Sequence, residues 1–271
     1  MKRLICVMLC VSLGMVLCGT AQVIASPAID SAVITTRIWN DNPTSTVTTT
    51  NSYASSITIK DDQSAYFTGW ANLHNFRLSA DGGTTPASFA NGDAFSFASD
   101  VTITGTGKAE AGLLVSPWWS LDADGRFMIN GESGEIAAFG GRLPFYSFTN
   151  PSGYGLTYTT GDTVRMGVIY RPNALSSLSP ATIEYVLTMA SLTYSSGQLA
   201  FDMGNPAEDP PHGLWGMLTP AGVGGFFQPR VGQGLFWEQA TFGNMAYSPV
   251  PEPATMALLG LGSLFLARRR K

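Results

Sequence analysis

Glu132 and Glu135, in GESGEIA, are the closest pair of glutamates in the chain. Two carboxylates flanking a glycosidic bond are the minimum for sugar hydrolysis, one acting as acid and the other as base or nucleophile. Three residues apart on a strand, these two fall on opposite faces. The spacing therefore reads as an acid-decorated hairpin turn. Asp122, Asp124 and Gly125 in SLDADGRF take the third, fifth and sixth places of an EF-hand loop, but the twelfth falls on Gly131. The bidentate acid is missing, so Asp-Gly reads as a turn, with a calcium site of another kind left open.

The chain has two histidines, His74 and His212, and neither H-E-x-x-H nor G-x-S-x-G occurs. His212 stands near Glu208 and Asp209 in DPPHGLW and reads as a solvated loop histidine. No G-x-G-x-x-G or P-loop is present, so no nucleotide site is assigned. No catalytic residue, metal site or cofactor is expected, and the chain is read as non-enzymatic. Four tryptophans remain as candidate carbohydrate-binding residues: Trp118, Trp119, Trp215 and Trp237. Adjacent residues on a strand face opposite ways, so one of the Trp118–Trp119 pair points outward. Exposed indoles stack on sugar rings; core filling is the competing reading.

The elements that must carry these residues are strands. Residues 101–104 (VTIT) alternate apolar and polar, and Phe95 and Phe97 share a face in DAFSF. So do Val164, Met166, Val168 and Tyr170, and likewise Ile183, Tyr185 and Leu187. Turn residues fall between them in NDNP, DGG, TGD and SSG. Many short strands so punctuated imply an all-β sandwich or barrel. STVTTTNSYASS (45–56) reads as an edge strand or a long loop. Pro206, Pro210 and Pro211 exclude a central strand from 204–216.

Charged residues make up only 13% of the 271. Six of the 15 basic residues lie at the two ends, which leaves nine in the middle against 18 of the 19 acids. A middle so acidic has no footprint for nucleic acid. Cys6, Cys10 and Cys18 all lie in the first 20 residues. There, Lys2 and Arg3 precede an apolar run over 4–17, and Val23 and Ala25 occupy the −3 and −1 positions of a cleavage site before Ser26. This is the layout of a secretory signal peptide over 1–25, cut between Ala25 and Ser26. The mature chain would then contain no cysteine.

At the other end, residues 254–267 carry no charge and are followed by Arg268, Arg269, Arg270 and Lys271. The run is short for a bilayer span, which needs about 20 residues. Gly260 and Gly262 suit a membrane helix better than a helix in water. The basic cluster fits a cytoplasmic end. Either a permanent anchor or a removable tail fits these facts.

The order Pro251-Glu252-Pro253, apolar run, basic tail resembles a PEP-CTERM sorting signal over 248–271. The resemblance implies processing by an exosortase that recognises Pro251, Glu252 and Pro253, passing residence in the inner membrane, and release to the cell surface or an exopolysaccharide matrix. Residues 26–247 form the body. DAFSFASDVTITG, AEAGLLVSPWW, DGRFMINGESGEIAAFGG, GDTVRMGVIYRP and ATFGNMAY resemble the concanavalin A-like lectin/glucanase sandwich. That resemblance implies an antiparallel, jelly-roll β-sandwich, which would lie between the signal-peptide helix and the short transmembrane helix read from the two ends. It also implies a structural or adhesive role, with polysaccharide as a possible partner. A lectin-like module is the alternative; a glycoside hydrolase or lyase is disfavoured, because no E-x-D-x-x-E occurs.

Overall fold

The computed structural model describes residues 26–39, 42–63, 69–70, 72–116, 125–204, 214–231 and 236–250. Among the described residues sixteen strands, numbered in chain order, form two eight-stranded sheets. Sheet A contains β1 (Ser31–Trp39), β4 (Gly69–Trp70), β5 (Leu73–Ser79), β7 (Lys108–Ser116), β8 (Gly125–Asn130), β9 (Ile136–Phe139), β10 (Tyr146–Ser147) and β15 (Gly222–Val231). Its order is β1-β5-β15-β7-β8-β9-β10, with β4 on β15. Sheet B contains β2 (Thr46–Ser52), β3 (Ser56–Gln63), β6 (Phe95–Gly105), β11 (Thr163–Arg171), β12 (Thr182–Met189), β13 (Leu192–Ser195), β14 (Leu199–Ala200) and β16 (Phe236–Pro249). Its order is β13-β12-β11-β6-β16-β3-β2, with β14 on β12. Every pairing is antiparallel.

The alternation in the sequence is what closes the two sheets on each other. Phe95, Phe97, Val101 and Ile103 of β6, Val164, Met166, Val168 and Tyr170 of β11, and Ile183, Tyr185 and Leu187 of β12 are all buried in one core. Phe76 and Leu78 of β5, Ala111 and Leu113 of β7 and Phe127 and Ile129 of β8 meet them from sheet A. Each buried Val, Leu, Ile, Met or Phe among them contributes about 1.5–3 kcal/mol. The two sheets enclosing one core make this a β-sandwich, one of the two architectures that the alternation allowed.

The Ser/Thr-rich stretch resolves into the edge strand β2, paired with β3 over its whole length. Residues 205–213, most of the Pro-rich segment, lie outside the described residues. So do 1–25 and 251–271, and with them the expected signal-peptide helix and the expected span over 254–267. Among the described residues no helix is long and apolar enough to cross a membrane.

Candidate functional site

One end of the inter-sheet core is polar. Along β3 the inward positions run Ile57, Ile59, Asp61; along β16 they run Phe242, Ala240, Glu238; along β5 they run Leu78, Phe76, His74. Asp61, His74 and Glu238 are all 0% exposed. Asp61 and Glu238 are direct neighbours across the β3–β16 ladder. The Arg37 backbone N–H donates to His74 Nδ1 at 3.2 Å, so the ring proton sits on Nε2 and is donated to Asp61 Oδ2 at 3.1 Å. Asn72 Nδ2 donates to the same oxygen at 2.8 Å and to Ser45 Oγ at 2.7 Å. The Arg37 guanidinium ties the same region together by donating to the carbonyls of Asn42 and Ser45.

Among the described residues Asp61 Oδ1 has no hydrogen-bond partner, and the Glu238 carboxyl has only a loose contact with the Lys108 amide. Burial, with the Asp61 and Asp62 charges adding to it, pushes the Glu238 carboxyl up to about 8; the Lys108 amide offsets only part of this. Gly107 makes room for that carboxyl, since a Cβ there would collide with Glu238 Oε1. Chemically this is a carboxylic acid kept protonated beside an Asp–His pair. All three side chains lie out of contact with solvent, so the carboxyl holds its proton inside the core. Among the described residues no group of three or more His, Cys, Asp or Glu is placed to hold a metal ion.

A second feature is open to solvent. On the outer face of sheet B a groove of about 220 Å³ runs over β6, β11 and β12. Ala98, Gly167, Ile169 and Val186 form an apolar floor. It exists because Gly167 has no side chain: a Cβ there would lie 3.5 Å from Ala98 Cβ and 3.7 Å from Val186 Cβ. Arg165 closes one side, paired to Asp100 at 2.8 Å, and Asn244 Nδ2 also donates to Asp100 at 2.7 Å. Thr188 and Ser96 add hydroxyls. The lining is thus mainly apolar, with one charged side chain and two hydroxyls at its margin.

A third feature concerns the ends of the body. Ser26 Oγ donates to the carbonyl of Ala94 at 3.0 Å, and the Val250 N–H donates to the same carbonyl, also at 3.0 Å. The residue following the expected signal cleavage and the residue preceding Pro251 therefore meet at one point.

Trp215 is half-buried in a turn, where its backbone accepts from Ala181 and donates to Asp202. Trp237 is half-buried on β16, with Lys60 Nζ 5.1 Å from its ring centroid. Ala181 leads into β12 near the Phe95–Pro249 end of sheet B, whereas Trp237 lies near the Gly105 end. At about 3.3 Å per residue, most of the length of β16 separates them, so they form no common sugar platform. Trp118, Trp119, Ala25, Pro251, Glu252, Pro253, Arg268, Arg269 and Arg270 lie outside the described residues, as do Asp122, Asp124 and His212.

Glu132 sits in the turn between β8 and β9, its carboxylate held by Lys108 and Arg230, while the Glu135 N–H donates to Ser133 Oγ. These acids serve the turn. Asp61 and Glu238, in KDDQ and LFWEQA, were not singled out in the sequence. The signal available was an acid at an inward position of an otherwise alternating strand.

Residues 249–271 match the family model described as the PEP-CTERM protein-sorting motif. None of the curated proteins matches the chain. Among solved structures, it is similar to a family 7 alginate lyase A1-II′ with 8% identity and a TM-score of 0.41, over 72% of this chain and 78% of that one. It is also similar to a polysaccharide lyase of family 18, with 10% identity and a TM-score of 0.36, over 81% and 96%. A seed lectin of Lotus tetragonolobus gives 8% identity and a TM-score of 0.36, over 81% and 100%. The chain carries the sorting motif that its closing residues resembled.

Proposed function

We propose that this is an exported protein whose tail holds it in the inner membrane until an exosortase cuts near Pro251-Glu252-Pro253. The sandwich is then released to the cell surface or an exopolysaccharide matrix, where it serves a structural or adhesive role without catalysis. The observation that carries this reading is the motif match over 249–271, which begins where the last strand ends. Pro249 is the last residue of β16, and Val250 makes the last described backbone bond. The recognition triplet thus follows the folded body directly. Because Pro251 and Pro253 lack N–H donors, the triplet favours an extended segment open to a membrane protease.

The expected cleavage after Ala25 agrees with this picture, because Ser26 and Val250 share the Ala94 carbonyl. Both membrane-directed segments then leave from one end of the sandwich. The test is mass spectrometry of the surface-displayed protein. The expected ends are Ser26 and a residue near Pro251; material still ending at Lys271 overturns the reading.

Saccharide binding is the second reading, and the groove over Gly167 favours it. Calorimetric titration with neutral and acidic surface polysaccharides tests it. Binding that Gly167→Leu abolishes without loss of fold supports it, and silence across the set, or binding unchanged in Gly167→Leu, removes it.

A further inference from the structure

A β-sandwich of open sheets has edges, each a row of backbone N–H and C=O groups ready to pair with another strand. This protein protects three of its four. At one edge of sheet A, β10 is two residues long and is followed by a 3-10 turn at Pro151–Gly153. At the other, β1 breaks register between Thr35 and Trp39, Arg37 takes a left-handed φ of 57°, and Asn51 Nδ2 donates to the Ala32 carbonyl at 2.8 Å. On sheet B, β13 is four residues long, and Tyr154 Oη donates to the Ser195 carbonyl at 2.8 Å.

The fourth edge, β2, is neither short nor bulged among the described residues; its one tie to another edge is Asn51, the residue that reaches the Ala32 carbonyl of β1. It runs seven residues, TVTTTNS, in unbroken register against β3. It contains no proline and no charge, and every residue except the half-buried Val47 is exposed. Among the described residues β2 pairs with β3 alone.

We propose that β2 is a self-association edge: two copies of this chain pair β2 to β2, antiparallel, about a two-fold axis at Thr49. The residues suit a second copy. Opposite residues in an antiparallel ladder share a face, so the two-fold sets Thr46 against Ser52, Val47 against Asn51, Thr48 against Thr50, and Thr49 against itself. The face carrying Thr46, Thr48, Thr50 and Ser52 then consists entirely of hydroxyl pairs. The protein already uses that contact within itself: Thr102 and Thr163 are ladder partners with hydroxyls 2.7 Å apart, and Thr188 and Thr193 are partners at 2.9 Å. Cross-strand Thr pairs of this kind stabilise antiparallel neighbours. No like charges meet on the paired strands. The result is an isologous dimer whose two copies of sheet B are continuous, and a single-strand contact makes it a weak one.

The inference does not depend on tail processing, so it is tested on purified chain from Ser26 to Lys271 in detergent micelles. This form contains all sixteen strands and no cysteine. Sedimentation velocity should show a concentration-dependent monomer–dimer equilibrium. The double variant Thr48→Lys/Thr50→Lys places like charges across the two-fold and should weaken association at least tenfold while leaving circular dichroism and Tm unchanged. Thr49→Cys should form a disulfide dimer under mild oxidation, because directly opposed residues lie about 4.5–5.5 Å apart at Cα. Thr46→Cys, displaced from the axis, should not. A protein that stays monomeric at the highest concentration, or a dimer indifferent to the lysines, overturns the proposal; so does equal cross-linking from positions 46 and 49.

Discussion

The two ends of the sandwich core are filled by different physics. At the end where Ser26 and Val250 meet, the space is aromatic: Phe89 lies 5.2 Å from Phe95, Phe95 lies 5.7 Å from Tyr170, and Phe201 and Tyr247 pack edge-on around them. At the far end the inward rows of β3, β5 and β16 finish in Asp61, His74 and Glu238, equally buried but ionisable. Apolar burial tolerates any well-packed shape, whereas a buried polar group must find its partner or remain a liability. The first end is therefore held by area and the second by a specific set of hydrogen bonds.

That contrast can be broken at either end. The largest effect is expected from Phe95→Ala, which removes a buried ring touching two others and should cost about 3–5 kcal/mol in urea unfolding. A loss below about 1 kcal/mol would deny the aromatic end its role.

Next comes the pH response. The Glu238 carboxyl titrates near 8 in the folded protein against an ordinary 4.5. Between those values the unfolded chain gives up this proton while the folded chain keeps it. Glu238 therefore subtracts stability as pH rises through that window, and above it the loss is complete. Glu238→Gln should be more stable than the parent at pH 9 by about 2–4 kcal/mol and nearly equal to it at pH 4. Parallel Tm–pH curves for the two proteins would contradict this.

Asp61→Ala leaves the His74 Nε2–H and Asn72 Nδ2 without the oxygen that both use. Denaturation at pH 5, where Glu238 stays protonated, should show a loss of about 2 kcal/mol. The smallest effect belongs to the exit point: Ser26→Ala removes one hydroxyl bond to Ala94, and hydrogen exchange at the Val250 amide should quicken with a stability change of about 0.5–1 kcal/mol.

The aromatic end was readable because alternation is local. Phe95, Phe97, Val168 and Tyr170 declare their face within a few residues of sequence, since successive strand side chains point to opposite sides whatever the partner strand. The polar end was not readable. KDDQ offers two adjacent acids; the alternation of Ile57 and Ile59 puts Asp61 on the inward face, but only the pairing of β3 with β16 sets it beside Glu238, while Asp62 stays exposed with Lys60. His74 likewise looked like a lone histidine until Arg37 and Asp61, from other strands, met its two nitrogens. Gly167 became meaningful only with Ala98 and Val186 on either side of it.

By itself the sequence determined the all-β class, the strand faces and the sorting tail. Each of these is written in short-range order: a period of two, or three elements in a fixed succession at Pro251-Glu252-Pro253, 254–267 and Arg268 onward. Strand order was left to the tertiary structure. It alone brought Asp61, His74 and Glu238 into one sealed layer, left β2 as an unguarded edge, and set Ser26 and Val250 on the same carbonyl. Contacts across 68 or more residues depend on which strands lie side by side, and no local pattern carries that information.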